Sequence, residues 1–127
     1  RFALYDMIML KDNHIDFCGG VAKAILKTQS YLKDNNLNLK IIVEARSIDE
    51  IKEILAVGGV HRILIDNFDF DGTREAVKII GNKCQTESSG GINLETALKY
   101  ADCGVDYISS GALTHSVYNM DLSLKAV

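Results

Sequence analysis

The chain predicts an α/β fold of about five parallel strands alternating with four helices, arranged as part of a (β/α) barrel. Three observations carry this. Short, continuously apolar runs such as Met7-Ile8-Met9-Leu10 suit strands buried on both faces, as in parallel sheets. Each strand ends in a charged or glycine-rich cluster: Lys11-Asp12-Asn13-His14, Glu44-Ala45-Arg46, Asp66-Asn67, Ser88-Ser89-Gly90-Gly91 and Ser109-Ser110-Gly111, with a helical pattern after the first four. The segment from Ala56 to Ile63 also echoes that from Ala101 to Ile108, each a helix end, a glycine stop and a strand entry. A βα unit repeating at that spacing suits a barrel, but five strands are too few to close an eight-unit one. Residues 1–127 are therefore expected to be the later part of a barrel whose first units lie outside the chain.

The elements follow in order. After the strand Met7-Leu10, a helix fits Val21, Ala22, Ile25, Leu26, Gln29 and Leu32, whose apolar positions recur at three and four, and it frays into Lys33-Asp34-Asn35-Asn36. Lys40-Ile41-Ile42-Val43 is the second strand. Ser47 and Glu50 form a capping box for a helix with Ile48, Ile51, Ile54 and Leu55 on one face, closed by Gly58-Gly59. Ile63-Leu64-Ile65 is the third strand. Asp71 is expected to cap a helix bearing Ala76, Val77 and Ile80 that stops near Gly81-Asn82. Cys84-Gln85-Thr86 is a short fourth strand. Asn93 caps a helix through Leu94, Ala97, Leu98 and Ala101, Gly104 closes it, and Tyr107-Ile108 is the fifth strand.

Composition narrows the function classes. The 127 residues are one domain's worth, and with 47% apolar residues they bury a real core. A formal charge of −3 gives no reason to expect nucleic-acid or membrane-surface binding. No apolar run approaches the roughly 20 residues a membrane span needs, and the opening Arg1-Phe2-Ala3-Leu4-Tyr5-Asp6 has no secretory h-region. Cys18, Cys84 and Cys103 are odd in number and widely spaced, which fits reduced thiols in a cytoplasmic protein rather than a zinc site or disulfide framework.

Ligands of parallel α/β folds bind at the carboxyl ends of the strands, where these clusters collect. Ser89, Gly90 and Gly91 lie between a strand and a helix, and Ser109, Ser110 and Gly111 repeat that chemistry one unit later. Glycines allow close backbone approach and helix N-termini offer unpaired N–H groups, so phosphate is the natural occupant; the alternative is that these glycines only make tight turns. Glu44 and Asp66 end consecutive buried strands, where an unpaired carboxylate is costly. They suit magnesium or sugar hydroxyls, or else a structural pairing with Arg46 or Arg62. Lys11 and Arg1 are placed to bind an anionic substrate. His14 and His115 flank rim loops as hydrogen-bonding scaffold.

Arg1-Phe2-Ala3-Leu4-Tyr5-Asp6, Lys11-Asp12-Asn13-His14-Ile15, Val43-Glu44, Ile65-Asp66-Asn67, Glu87-Ser88-Ser89-Gly90-Gly91-Ile92 and Gly111-Ala112-Leu113-Thr114-His115-Ser116 appear in this order. In these segments the chain resembles the quinolinate phosphoribosyltransferases, or nicotinate-nucleotide pyrophosphorylases (carboxylating). The resemblance implies a barrel of the phosphoribosyltransferase type and a magnesium-dependent step of NAD synthesis. In that step quinolinate and phosphoribosyl pyrophosphate give nicotinate mononucleotide, pyrophosphate and carbon dioxide. It implies that Arg1 and Lys11 hold quinolinate carboxylates. Glu44 and Asp66 would face the ribose hydroxyls and magnesium, and Ser89, Gly90, Gly91, Ser109, Ser110 and Gly111 would cradle the 5′-phosphate. A separate N-terminal domain and a homodimer or higher homo-oligomer are implied too, so the isolated chain is expected to be inactive or barely active. The pattern is shared by a paralogue linked to molybdenum transport, and a non-catalytic remnant that binds phosphoribosyl compounds is the reading from a different class. One family position departs: Ile42 stands two residues before Glu44, where a second glutamate is common.

Overall fold

The protein is described by a computed structural model, which covers residues 2–3 and 5–115. Five strands form one parallel sheet in chain order: β1 (Met7–Leu10), β2 (Lys40–Ala45), β3 (Arg62–Asp66), β4 (Gln85–Ser89) and β5 (Tyr107–Ile108). Neighbours in space are neighbours in sequence, as in a barrel wall and unlike a doubly wound sheet. The helices are α1 (Asp12–Cys18), α2 (Val21–Asp34), α3 (Ile48–Val57), α4 (Phe70–Ile80), α5 (Leu94–Ala101) and α6 (Ala112–His115).

Successive strand residues point to opposite faces, and the two faces differ in chemistry. Ile41, Val43, Ala45, Ile63 and Ile65 join Ile15, Val21, Ile25, Ile51, Ile54, Ala76 and Ile80 of the helices in one main core. Fully burying one such branched side chain stabilises the fold by about 2 kcal/mol. Met7, Ile42 and Leu64, with Met9, form a smaller cluster apart from it. Glu44, Asp66 and Glu87 fall at the same alternation as that smaller cluster, so the second face turns polar toward the carboxyl ends of the strands, with Arg62 on the same face at the start of β3.

Most expected elements stand where the pattern placed them. Half of the expected capping box of α3 forms, the Ser47 hydroxyl accepting from the Glu50 N–H at 3.2 Å, whereas the Glu50 carboxylate turns to the Arg46 N–H at 2.6 Å rather than to that of Ser47. Among the described residues there are six helices rather than four. The extra ones, α1 and α6, have seven and four residues, too short for a period of 3.6 to declare itself, and α1 buries only Ile15. Gly19, at φ +76°, closes α1 with a left-handed turn that α2 then leaves. The cap of α4 is Asp69, whose carboxylate accepts from the Gly72 N–H at 2.7 Å; Asp71 lies inside the first turn, ion-paired to Arg74. Two aspartates in reach of one helix start are equivalent in sequence, and only the backbone path chooses between them. Strand β4 runs on to Ser89, past the expected Thr86. Cys18, Cys84 and Cys103 are free thiols. No helix among the described residues is long and apolar enough to cross a membrane.

Candidate active site

A cleft of about 800 Å³ opens at the carboxyl ends of the strands. Lys11, Glu44, Asp66, Ser89, Gly90, Gly91, Ser109, Ser110 and Gly111 all line it, drawn from the ends of all five strands. Arg1 lies outside the described residues, as does the side chain of His115.

Glu44 is the buried acid of the group, 7% exposed near the end of β2. Burial pushes its carboxyl above the ordinary range, the Asp66 charge adds to the shift, and an N–H bond from Asp12 at 3.4 Å and the Lys11 charge oppose it. That N–H belongs to the first turn of α1, so the helix missing from the sequence reading aims its N-terminal end at this acid. Asp66 ends β3 in direct register with Ser89. Its Oδ1 accepts from the Ser89 hydroxyl and its Oδ2 from the Asn67 amide, both at 2.6 Å. Neither arginine neutralises these acids. Arg46 binds Asp16 and Glu50 at 2.9 Å each, outside the cleft, and Arg62 binds Glu87 at 2.7 Å. Among the described residues no cation forms an ion pair with Glu44 or Asp66, which removes the structural-pairing alternative.

Lys11 sits at the N-terminal boundary of α1, its side chain exposed and its backbone N–H held by His14 Nδ1 at 3.0 Å. His14 is thus scaffold for the lysine loop, as expected of it.

The two glycine loops are tied down by their serines. Ser89 donates to Asp66, Ser109 to Glu87 and Ser110 to the carbonyl of Ile92. A serine has one O–H, and a carbonyl or a carboxylate offers only lone pairs, so these hydroxyls are committed as donors within the protein. Asn93 Oδ1 likewise accepts the N–H groups of Glu95 and Thr96, at 2.9 and 3.0 Å, at the start of α5. The donors left for an anion are backbone N–H groups of the loops themselves. Gly91, at φ +59°, has open space where a side chain would stand, whereas Gly90, at φ +93°, is pressed against Asn67.

Glu87 is the cleft residue the sequence reading missed as a candidate. It is 6% exposed, lines the floor, and joins Arg62 to Ser109. The signal was the alternation of Gln85, Glu87 and Ser89, which puts three polar side chains on one face once β4 is drawn at its full length. Among the described residues no cluster of three acids, histidines or cysteines could hold a metal by itself. Glu44 and Asp66 are two uncompensated hard-oxygen donors, which fits magnesium completed by substrate phosphates and water.

Residues 1–125 match the family described as "Quinolinate phosphoribosyl transferase, C-terminal domain". The chain is 43% identical to "Quinolinate phosphoribosyltransferase (decarboxylating) 2, mitochondrial" of Nicotiana glauca over 98% of its own length and 40% of the relative's. It is 42% identical to "Nicotinate-nucleotide pyrophosphorylase (carboxylating), chloroplastic" of Arabidopsis thaliana with the same coverage. It superimposes on the crystal structure of NadC from Streptococcus pyogenes with a TM-score of 0.82 at 37% identity, covering 99% of this chain and 43% of that one. The chain thus spans about 40% of the length of the curated relatives it matches. The match over residues 1–125 and the 43% identity over 98% of its length place this chain in the quinolinate phosphoribosyltransferase family, in the part described as the C-terminal domain.

Proposed function

We propose that this cleft binds phosphoribosyl pyrophosphate and quinolinate and carries the phosphoribosyl transfer and decarboxylation that give nicotinate mononucleotide for NAD synthesis. The carrying observation is that Glu44 and Asp66 face one cleft, with no cationic partner among the described residues, beside two glycine loops. In this reading the loops take the 5′-phosphate on backbone N–H groups, and the acids take the ribose hydroxyls. Magnesium, held by Glu44 and Asp66 directly or through water, would supply charge neutralisation for the leaving pyrophosphate.

The residues then divide the work. As the anomeric C–O bond breaks, its electron pair leaves with pyrophosphate and positive charge develops on the sugar, where two fixed carboxylates stabilise it. The quinolinate nitrogen forms the new bond to that carbon. Lys11 and, by the family motif, Arg1 hold the quinolinate carboxylates in line. The C–C bond to one carboxylate then breaks, carbon dioxide departs, and the electron pair is accepted by the pyridinium ring before the ring carbon takes a proton. Positioning supplies most of the rate, and no covalent protein intermediate is required.

The reading extends to a cytoplasmic homodimer or higher homo-oligomer, with the chain forming the later part of a catalytic barrel. The free thiols support a reducing compartment. The test is nicotinate mononucleotide formation by the complete protein from quinolinate, phosphoribosyl pyrophosphate and magnesium. Product that requires all three supports the reading; a folded protein that binds the donor without turnover refutes it in favour of a binding remnant.

A further inference from the structure

Arg62 is a residue the proposed reaction does not use. It opens β3, does not line the cleft, and is 8% exposed. Its Nη1 donates to Glu87 Oε2 at 2.7 Å, its Nε and Nη2 reach Gln85 Oε1 at 3.3 and 3.0 Å, and its guanidinium carbon lies 3.7 Å from the centre of the Tyr107 ring. Three donors of the guanidinium fork are spent on one neighbouring strand, β4, while its flat face is stacked on a residue of the next, β5. The second carboxylate oxygen of Glu87 accepts the Ser109 hydroxyl. A continuous chain therefore runs from the middle of the sheet, through Arg62 and Glu87, to the first residue of the second glycine loop.

A buried ion pair is a poor way to gain stability, since apolar residues of the same volume usually do as well or better. It does fix an ionised acceptor in one place. Resting on the donor-binding reading above, we propose that Arg62, acting through Glu87, is a positioning residue for the 5′-phosphate subsite. The pair keeps Glu87 as an acceptor, the acceptor holds the Ser109 hydroxyl turned into the protein, and the loop, whose Ser109 N–H is held by the Ser88 carbonyl at 2.9 Å, presents the Ser110 and Gly111 N–H groups to the phosphate. The serine acts as a latch on the loop rather than as a phosphate ligand.

Ribose 5-phosphate binding by calorimetry, donor and quinolinate KM, and melting temperature test this on the complete protein. Ser109→Ala and Arg62→Met are each expected to weaken ribose 5-phosphate and donor binding about tenfold, with quinolinate KM changed less than twofold. The combined variant should lose no more than the larger single loss, because both remove one latch. Unchanged phosphate affinity in a folded Arg62→Met protein overturns the proposal, as do losses that multiply. Should Arg62→Met not fold, Arg62→Met/Glu87→Gln removes both charges and leaves Ser109 an acceptor; affinity within threefold of wild type supports the latch, and a tenfold loss overturns it. A wild-type protein that binds ribose 5-phosphate in this Arg62-dependent way but makes no nicotinate mononucleotide would refute the reaction and support the latch. Turnover with Arg62-independent donor affinity would do the reverse, and a folded wild type that does not bind ribose 5-phosphate overturns both.

Discussion

Gly90 and Asn67 interlock: a Cβ on Gly90 would stand 2.2 Å from Asn67 Oδ1 and 2.8 Å from the Asn67 backbone nitrogen. The Asn67 N–H donates to the Ser89 carbonyl at 2.9 Å and its side-chain amide to Asp66 at 2.6 Å, so the first glycine loop and the acid that ends β3 form one rigid corner. Asn67 itself holds φ +56°, a left-handed conformation that asparagine tolerates.

Gly90→Ala is therefore expected to damage this corner rather than merely crowd a ligand. It should cost about 2 kcal/mol or more of stability, from the positive φ and the displaced asparagine together, and cut donor affinity and turnover. Gly91→Ala, with open space at its Cβ, should cost only about 1 kcal/mol. Denaturant titration of the two variants checks the contrast; equal losses would remove the interlock as the cause.

Glu44→Gln trades stability against function. The folded protein holds the Glu44 carboxyl above its ordinary range, chiefly by burial, so folding favours the protonated form. Its contribution to stability is present below the unfolded pKa and is lost as pH rises through the folded one. At neutral pH the neutral glutamine should raise the melting temperature by a few degrees, a gain that vanishes in acid below the ordinary glutamate range. Turnover should fall by a hundredfold or more. A lower melting temperature at pH 7 would contradict the burial argument.

Asp66→Asn should uncouple donor binding from magnesium. One carboxylate oxygen is lost, and an amide N–H is set against either the Ser89 hydroxyl or the Asn67 amide. Calorimetry with and without chelator is expected to show strong magnesium dependence in the wild type and little in the variant. Retained dependence would take Asp66 out of the metal's surroundings.

Lys11→Ala should raise the quinolinate KM by about ten- to a hundredfold, the scale of one charge-assisted hydrogen bond, and leave donor affinity intact. Because the Lys11 side chain is exposed and its structural bond to His14 is made by the backbone, the melting temperature should not move. A quinolinate KM unchanged in the variant would end that assignment.

The rim was legible in the primary structure because its signals are local. Glycine pairs, strand-end acids and the Ser47 and Asn93 caps each declare themselves within a few residues, and repetition of the βα unit lines them up on one side. Helices α1 and α6 were not legible, being too short for periodicity, and the choice of Asp69 over Asp71 depended on the path of the backbone.

Local chemistry thus determined that Glu44, Asp66 and the two glycine loops share a rim. Only the tertiary structure decided which charges meet there. Arg62 had Asp66 on its own strand and Glu44 and Glu87 on the strands to either side, and nothing in the order of residues chooses among them. The register that sets Arg62 opposite Gln85 and Leu64 opposite Glu87 does, across a separation of 25 residues. Pairing register is set by how whole strands bury their apolar alternation, a property of the assembled sheet that no short window of sequence contains. By giving Arg62 to Glu87, it leaves Glu44 and Asp66 open to the cleft.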